Sequence, residues 1–582
     1  MNFHRHYLAP RTLLVLTVLL TAAASVGCGR RAAEQPFAEP VEGASTANGI
    51  TAGDLARYTR ELADDSMLGR APGGEGEAPT LSYLQAAYER IGLTPMGGSA
   101  LPRAASGSAQ FFQEVAMVAI EADPNTATLS LNGSPEAESL ELQYGSDFVT
   151  WTRESEARFD ISGDLVFVGY GIDAPEEGWN DFGDMDMTGK ILLVLVNDPP
   201  LEDQSRFGGK AMTYYGRYTY KFEEGARRGA AGVLVIHETE AAAYGWNVIQ
   251  AGWIGELLGL PPAAVSTPPV PLQGWVSWDA AGKILESADF DLDELAAAAA
   301  GEDFAPVDLG LIGAGHLDNS TRTVTSQNVI GAVEGSDPDF ADEYIIFMAH
   351  WDHLGVGEPV DGDTIYNGAL DNATGTAALL EVAEAWTIAQ PEPRRSALFL
   401  ATTGEEAGFF GSMHYVEHPP VPLEKTLAVI NIDGINVWGP TEDMTITGFG
   451  NSTLDDNLSA ALTEKGRSSN PDQEPEKGYF FRGDHFPFAL AGVPSLWADC
   501  GLSFVGKPEG FAQQVWDDYD ANHYHQPSDE FDESWDFSGA AEDMEALLQV
   551  GLRISAADAW PEWRPGNEFK AARDAMLQGE VP

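Results

Sequence analysis

Four apolar runs, each leading to residues that can bind a metal or carry a proton, constrain this chain more than any other feature. The first, Tyr344 to Ala349, reads as a buried strand and delivers His350 and Asp352 just past its end. The second, Ser396 to Thr402, is followed by Gly404-Glu405-Glu406, and the third, Leu427 to Ile432, by Asp433. The fourth, Val493 to Ala498, is followed further on by Tyr524-His525-Gln526-Pro527-Ser528-Asp529. Between the first two, Asp371 opens a segment rich in small residues, Asn372 to Trp386, that predicts a helix. The pattern predicts an α/β fold, a mixed central sheet flanked by helices. In such a sheet ligands gather beyond the carboxyl ends of the strands, so residues far apart in sequence are expected to converge there. Imidazole and carboxylate together are a donor mix that suits zinc.

The ordered set His-x-Asp at 350, Leu-Asp-Asn-x-x-Gly at 370, Gly-Glu-Glu at 404, Asn-x-Asp at 431 and Tyr-His-x-Pro-Ser-Asp at 524 resembles the M28 family of di-zinc peptidases. The likeness covers Ala52 to Ile120 and Val324 to Ser555. It implies two zinc ions per chain. His350 and Asp433 would bind one, Glu406 and His525 the other, and Asp371 would bridge them. Asp352 holds the motif position that orients His350 through its second ring nitrogen. Glu405 is the implied general base, and Tyr524 occupies the position that stabilises a tetrahedral oxyanion. The implied activity is that of a zinc-dependent exopeptidase acting on peptides, first an aminopeptidase that removes N-terminal residues with a metal-activated water. A carboxypeptidase or other amide hydrolase of the same family is the alternative. Such a carboxypeptidase needs a cation for the substrate carboxylate, and Arg482 is the residue near a motif that could supply it. A non-catalytic surface binding protein, the reading from another class, predicts lost ligands, and none is lost here.

Neighbouring residues carry plainer readings. Adjacent glutamates are usually surface charge, but Glu405 and Glu406 follow an apolar strand and a glycine turn, which argues against that. His353 matches no ligand position and is expected to support the site or to pack. His414, His418 and His523 lie near motif segments and match no ligand position either. Gly483-Asp484-His485 resembles a family segment that often reads Ser-Asp-His, so a hydroxyl contact is expected to be missing. Ser495 and Ser528 lack a Gly-x-Ser-x-Gly context, which excludes a serine hydrolase.

The remainder sets organisation. Residues 1–28 read as a lipoprotein signal segment. Arg5 and Arg11 precede the apolar run Leu13 to Val26, too short for a membrane span, and Ser25-Val26-Gly27-Cys28 resembles a lipobox. The expected address is the outer membrane, facing the periplasm or exterior, with membrane contact only through a lipid on Cys28. Residues 29–50 read as a flexible tether. The second cysteine, Cys500, is expected to be a buried small hydrophobe. With 90 acidic against 32 basic residues, nucleic-acid binding is excluded as a function class, because phosphate would be repelled. The catalytic domain is expected over 51–123 and 317–565. Residues 124–316, with strands at Asp164–Gly171, Gly189–Val196 and Gly232–Ile236 around a helix at Phe222–Ala231, resemble an inserted β-rich protease-associated (PA) domain. The segment from the 240s to Ala300 has the least legible pattern, and 566–582 is expected as a C-terminal tail.

Overall fold

The computed structural model describes residues 49–98, 110–133, 139–153, 157–201, 203, 206–242, 244–261, 264–265 and 268–579. The signal segment, Cys28 and nearly all of the tether lie outside the described residues. Among the described residues no helix is long and apolar enough to cross a membrane.

The strand Tyr344–His350 organises the core sheet. It pairs in parallel with Ser396–Thr402 on one side and with Thr426–Asn431 on the other. Thr426–Asn431 in turn pairs in parallel with Ser495–Cys500. These strands are nearly continuous runs of apolar, largely β-branched or small residues and are buried along almost their whole length, as expected of strands covered on both faces. The chain leaves Tyr344–His350, forms one neighbour and then crosses to form the other. The crevice opened by that reversal lies at the strands' carboxyl ends, where an α/β sheet places its ligands.

Three helices close one face. Ala52–Leu62 is started by Thr51, whose hydroxyl accepts from the Asp54 N–H. Thr374–Ile388 is buried nearly all round and packs against Ala52–Leu62. Ser538–Ala556 completes the layer: Phe347, stacked on Phe399, meets the Trp386 ring edge-on, and Gly551 of that helix lies against both Phe347 and Trp386. The helix Glu77–Ile91 ends at Gly92, which takes the left-handed conformation and returns its N–H to Tyr88 and Glu89.

The strand Val307–Val333 is the seam between the core and residues 124–316. Its C-terminal end pairs with Ser396–Thr402, its middle with Phe112–Ala122, and its N-terminal end with Thr128–Asn132 and Arg158–Phe167. The expected boundary at 316/317 therefore falls inside a single strand. Beyond the seam, Arg158–Phe167, Ile191–Leu195, Gly232–His237 and Leu272–Ser277 form a parallel set closed by the antiparallel strand Phe148–Trp151. The segment whose pattern was least legible contains the helices Trp246–Trp253, Trp278–Ser287 and Leu292–Ala299. Within the expected tail, Lys570–Gln578 is a docked helix, and its buried Arg573 donates to the Thr426 and Leu423 carbonyls. Cys500 is buried beside Phe504 and Ala512.

Candidate metal centre

The ends of the parallel strands bring together the five residues expected to bind metal. His350 is the last residue of its strand, Glu406 follows Ser396–Thr402 by four residues, and Asp433 follows Thr426–Asn431 by two. Asp371 comes from the tight turn Ala369–Ala373, and His525 from the loop after the helix Phe511–Asn522.

Asp371 lies at the middle. Its Oδ1 is 3.3 Å from His350 Nε2, and its Oδ2 is 3.4 Å from His525 Nε2. The other flanks are Asp433 Oδ1, 3.1 Å from His350 Nε2, and Glu406 Oε2, 3.0 Å from His525 Nε2. Donor atoms of His350, Asp371 and Glu406 all lie within 4.8 Å of one another. The two oxygens of Asp371 thus face two separate imidazole–carboxylate pairs. His525 Nε2 is buried and has no well-formed hydrogen bond despite its two carboxylate neighbours. A buried ring nitrogen set between two carboxylates without a well-formed hydrogen bond fits a cation in its place, and the donor set is one that zinc accepts.

Charge tells the same story. Burial alone would lower the pKa of His350, but Asp433, Glu405 and Asp371 raise it well above the usual range. Burial likewise opposes protonation of His525, yet Asp371 and Glu406 push it up to about 10. Glu406 is brought down to about 2: burial and Asp371 oppose ionisation, but His353 and His525 outweigh them. Glu405 differs. Burial, with Asp433, Glu406 and Asp484 nearby, raises its pKa well above the ordinary value against the pull of His350. Its carboxylate is tied to none of the metal-site histidines, so it is available to exchange a proton.

The other expected residues fall as follows. The Asp352 side chain is not the direct partner of His350. His350 Nδ1 lies 3.1 Å from the Asp352 backbone carbonyl and 3.9 Å from its carboxylate, which instead accepts the Glu405 N–H at 3.3 Å. The strand ends at His350, and the turn that follows aims the carbonyl rather than the side chain at the ring. Tyr524 is 47% exposed and stacks on His525, ring centroids 3.9 Å apart, at the rim of the site. Arg482 donates to the Lys477 carbonyl at 2.6 Å and lies over Tyr479.

Several residues position these ligands; the sequence suggests such a role for His353 and for none of the others. His353, fully buried, holds Glu406 Oε1 at 2.5 Å through Nδ1. Asp529, the last residue of the Tyr-His-x-Pro-Ser-Asp segment, accepts the N–H groups of Leu370 and Asp371 and the Tyr519 hydroxyl. Asn372 ties two ligand loops together: Oδ1 accepts the Gly375 and Gly434 N–H groups, and Nδ2 donates to the Ile432 carbonyl. A Cβ at Gly375 would lie 2.1 Å from Asn372 Oδ1, which explains the glycine of Leu-Asp-Asn-x-x-Gly. Asp484 accepts from the hydroxyls of Thr402 and Ser412. Arg70 has no motif around it, yet its buried guanidinium donates to the carbonyls of Leu62, Trp351, Asn367 and Gly368, pinning the loops behind the site. Its close neighbour Gly69 adopts φ of 62° with the Gly355 and Tyr366 carbonyls against it, where a side chain has no room.

The segment that carries this geometry is similar to known proteins. Residues 328–548, which carry all five residues, match the model of Peptidase family M28. The match covers well under half of the chain. The chain is 26% identical over 248 residues to Aminopeptidase YwaD of Bacillus subtilis (strain 168), covering 40% of this chain and 44% of that protein. It is 33% identical over 144 residues to Aminopeptidase NAALADL1 of Mus musculus, covering 24% and 16% of the two. The chain thus spans less than half the length of these relatives. Among solved structures, an aminopeptidase from Aneurinibacillus sp. strain AM-1 aligns with a TM-score of 0.42 at 16% identity, over 89% of this chain and 95% of that one.

Proposed function

We propose that this chain is a zinc-dependent aminopeptidase of the M28 family that hydrolyses the N-terminal peptide bond of its substrates. The observation that carries the reading is the central carboxylate of Asp371 facing two imidazole–carboxylate pairs, with Glu405 beside them and tied to none of the site's histidines. The residues fit two cations: His350 and Asp433 would hold one, Glu406 and His525 the other, with Asp371 shared. Zinc, when bound, would lower the pKa of water to about 7 and polarise the scissile carbonyl.

The chain's own residues supply the rest. Glu405, its pKa raised by burial and by neighbouring carboxylates, would take a proton from the attacking water and return it to the leaving amine. Tyr524, kept protonated by partial burial and the site's negative charge, would donate a hydrogen bond to the oxygen that gains charge. The backbone carbonyl of Asp352 would fix the His350 tautomer, and His353 would fix the Glu406 carboxylate. Residues 124–316 would act as a PA-type domain beside the site, and Cys28 as the lipid-bearing anchor of an exported chain.

The test is hydrolysis of free-amino aminoacyl anilides and of N-blocked peptides. Cleavage of the free-amino substrates alone supports the aminopeptidase. Trimming of blocked peptides from the carboxyl end moves the assignment to a carboxypeptidase.

A further inference from the structure

The helix Phe410–Glu417 leaves the Glu405–Glu406 loop and is fixed at its first turn: the Ser412 hydroxyl donates to Asp484 at 2.6 Å, and the Gly411 carbonyl accepts from Asn328 at 2.8 Å. At its other end stand two histidines that the proposed reaction does not use. His414 and His418 are four residues apart, the spacing that puts two side chains on one helix face. Their rings are 4.7 Å apart, centre to centre, and inclined at 60°. Two imidazoles that share one ion at about 2.0–2.1 Å from each nitrogen place their ring centres about 5 Å apart.

The main chain that carries the pair is fixed on both sides of His418. The His418 N–H donates to the His414 carbonyl at 2.9 Å, and the His418 carbonyl accepts from Gln113 Nε2 at 2.8 Å. His414 Nδ1 is buried and unpartnered, which leaves Nε2 as its outward nitrogen, while His418 is exposed. Burial, and then His418, bring the His414 pKa down to about 4, so this ring is neutral and able to ligate at physiological pH.

We propose that His414 and His418 form an accessory site for a late first-row divalent ion, separate from the candidate metal centre and completed by water. A pair of imidazole ligands favours copper(II) most strongly among these ions. Binding would clip the last turn of a helix whose first turn is already anchored, and would stabilise the loop-to-helix unit rather than take part in hydrolysis.

The experiment uses the full chain loaded with zinc, titrated with Cu2+, desalted and analysed for both metals. Wild type, His414→Ala and His418→Ala are compared, so that any other histidine contributes equally to all three. The expected result is one more copper per chain in wild type than in either variant, at unchanged zinc content, with copper affinity at least tenfold weaker in the variants. Because His418 is exposed, its variant keeps the fold. Equal copper uptake by all three proteins, or copper gained only as zinc is lost, would overturn the proposal.

Discussion

Asn372 offers a sharp test of how this site is held together. It is fully buried and joins the turn that carries Asp371 to the loop that carries Asp433. Asn372→Ala leaves two N–H groups, of Gly375 and Gly434, and the Ile432 carbonyl without their partner. A buried polar group deprived of its partner costs about 1–3 kcal/mol, so the three together cost about 3–6 kcal/mol after partial relaxation. That is a large share of the roughly 5–15 kcal/mol by which folded domains are stable. Urea unfolding followed by tryptophan fluorescence measures it, since Trp351 and Trp386 are buried in this core. The expected result is a lower midpoint at unchanged slope, together with weaker zinc retention, because both ligand loops lose their tie. A loss below about 1 kcal/mol, the scale of a single ordinary hydrogen bond, would refute the reasoning.

Three further outcomes follow from the geometry. Glu405→Gln keeps size and burial but removes the proton acceptor, so kcat is expected to fall about 10²–10⁴-fold with zinc content unchanged; simultaneous loss of zinc would make Glu405 a ligand instead. His353→Ala frees Glu406 and is expected to weaken zinc binding about 10–100-fold, read by competition with a chelating dye, and an unaltered affinity would show that the 2.5 Å contact is incidental. His485 is buried between Phe480 and Trp497, and burial depresses its pKa to about 3 from the usual 6.5. The unfolded chain binds this proton more readily, so the stability it contributes is present above about pH 6.5 and declines as pH falls towards 3. His485→Phe is expected to flatten the acid limb of a denaturation-midpoint profile, and parallel limbs would contradict this.

Much of this architecture could be read in the sequence because its strands are short apolar runs with polar ends. Ser396–Thr402 matches its expected limits, Tyr344–His350 runs one residue further than expected, and the other two parallel strands are displaced by one or two residues at both ends. The helix expected from Asn372 begins at Thr374 instead, because Asn372 spends its side chain on the Gly375 and Gly434 N–H groups. The ligand-type residues were legible because strand ends and motif spacing mark them. Most of the supporting residues were not. Arg70 sits in a turn cluster with nothing local to announce four carbonyl acceptors, and Asp529 acts on residues nearly 160 positions away. Asp352 shows the limit of the motif itself: the sequence identifies the residue, but the turn after the strand decides whether its carboxylate or its carbonyl meets His350. The 240s to Ala300 resisted reading because the helices and strands there are short, and the apolar residues of Leu272–Ser277 divide between two cores, Leu272 and Val276 in one and Trp275 in the other.

The most direct measurement of the central claim is cleavage of a free-amino aminoacyl anilide by protein whose zinc content is followed in parallel. Dialysis against a chelator is expected to remove zinc and cleavage together, and added zinc to restore both, while Asp371→Ala neither retains zinc nor recovers. Cleavage that survives complete removal of metal, or full activity in Asp371→Ala, would contradict the account.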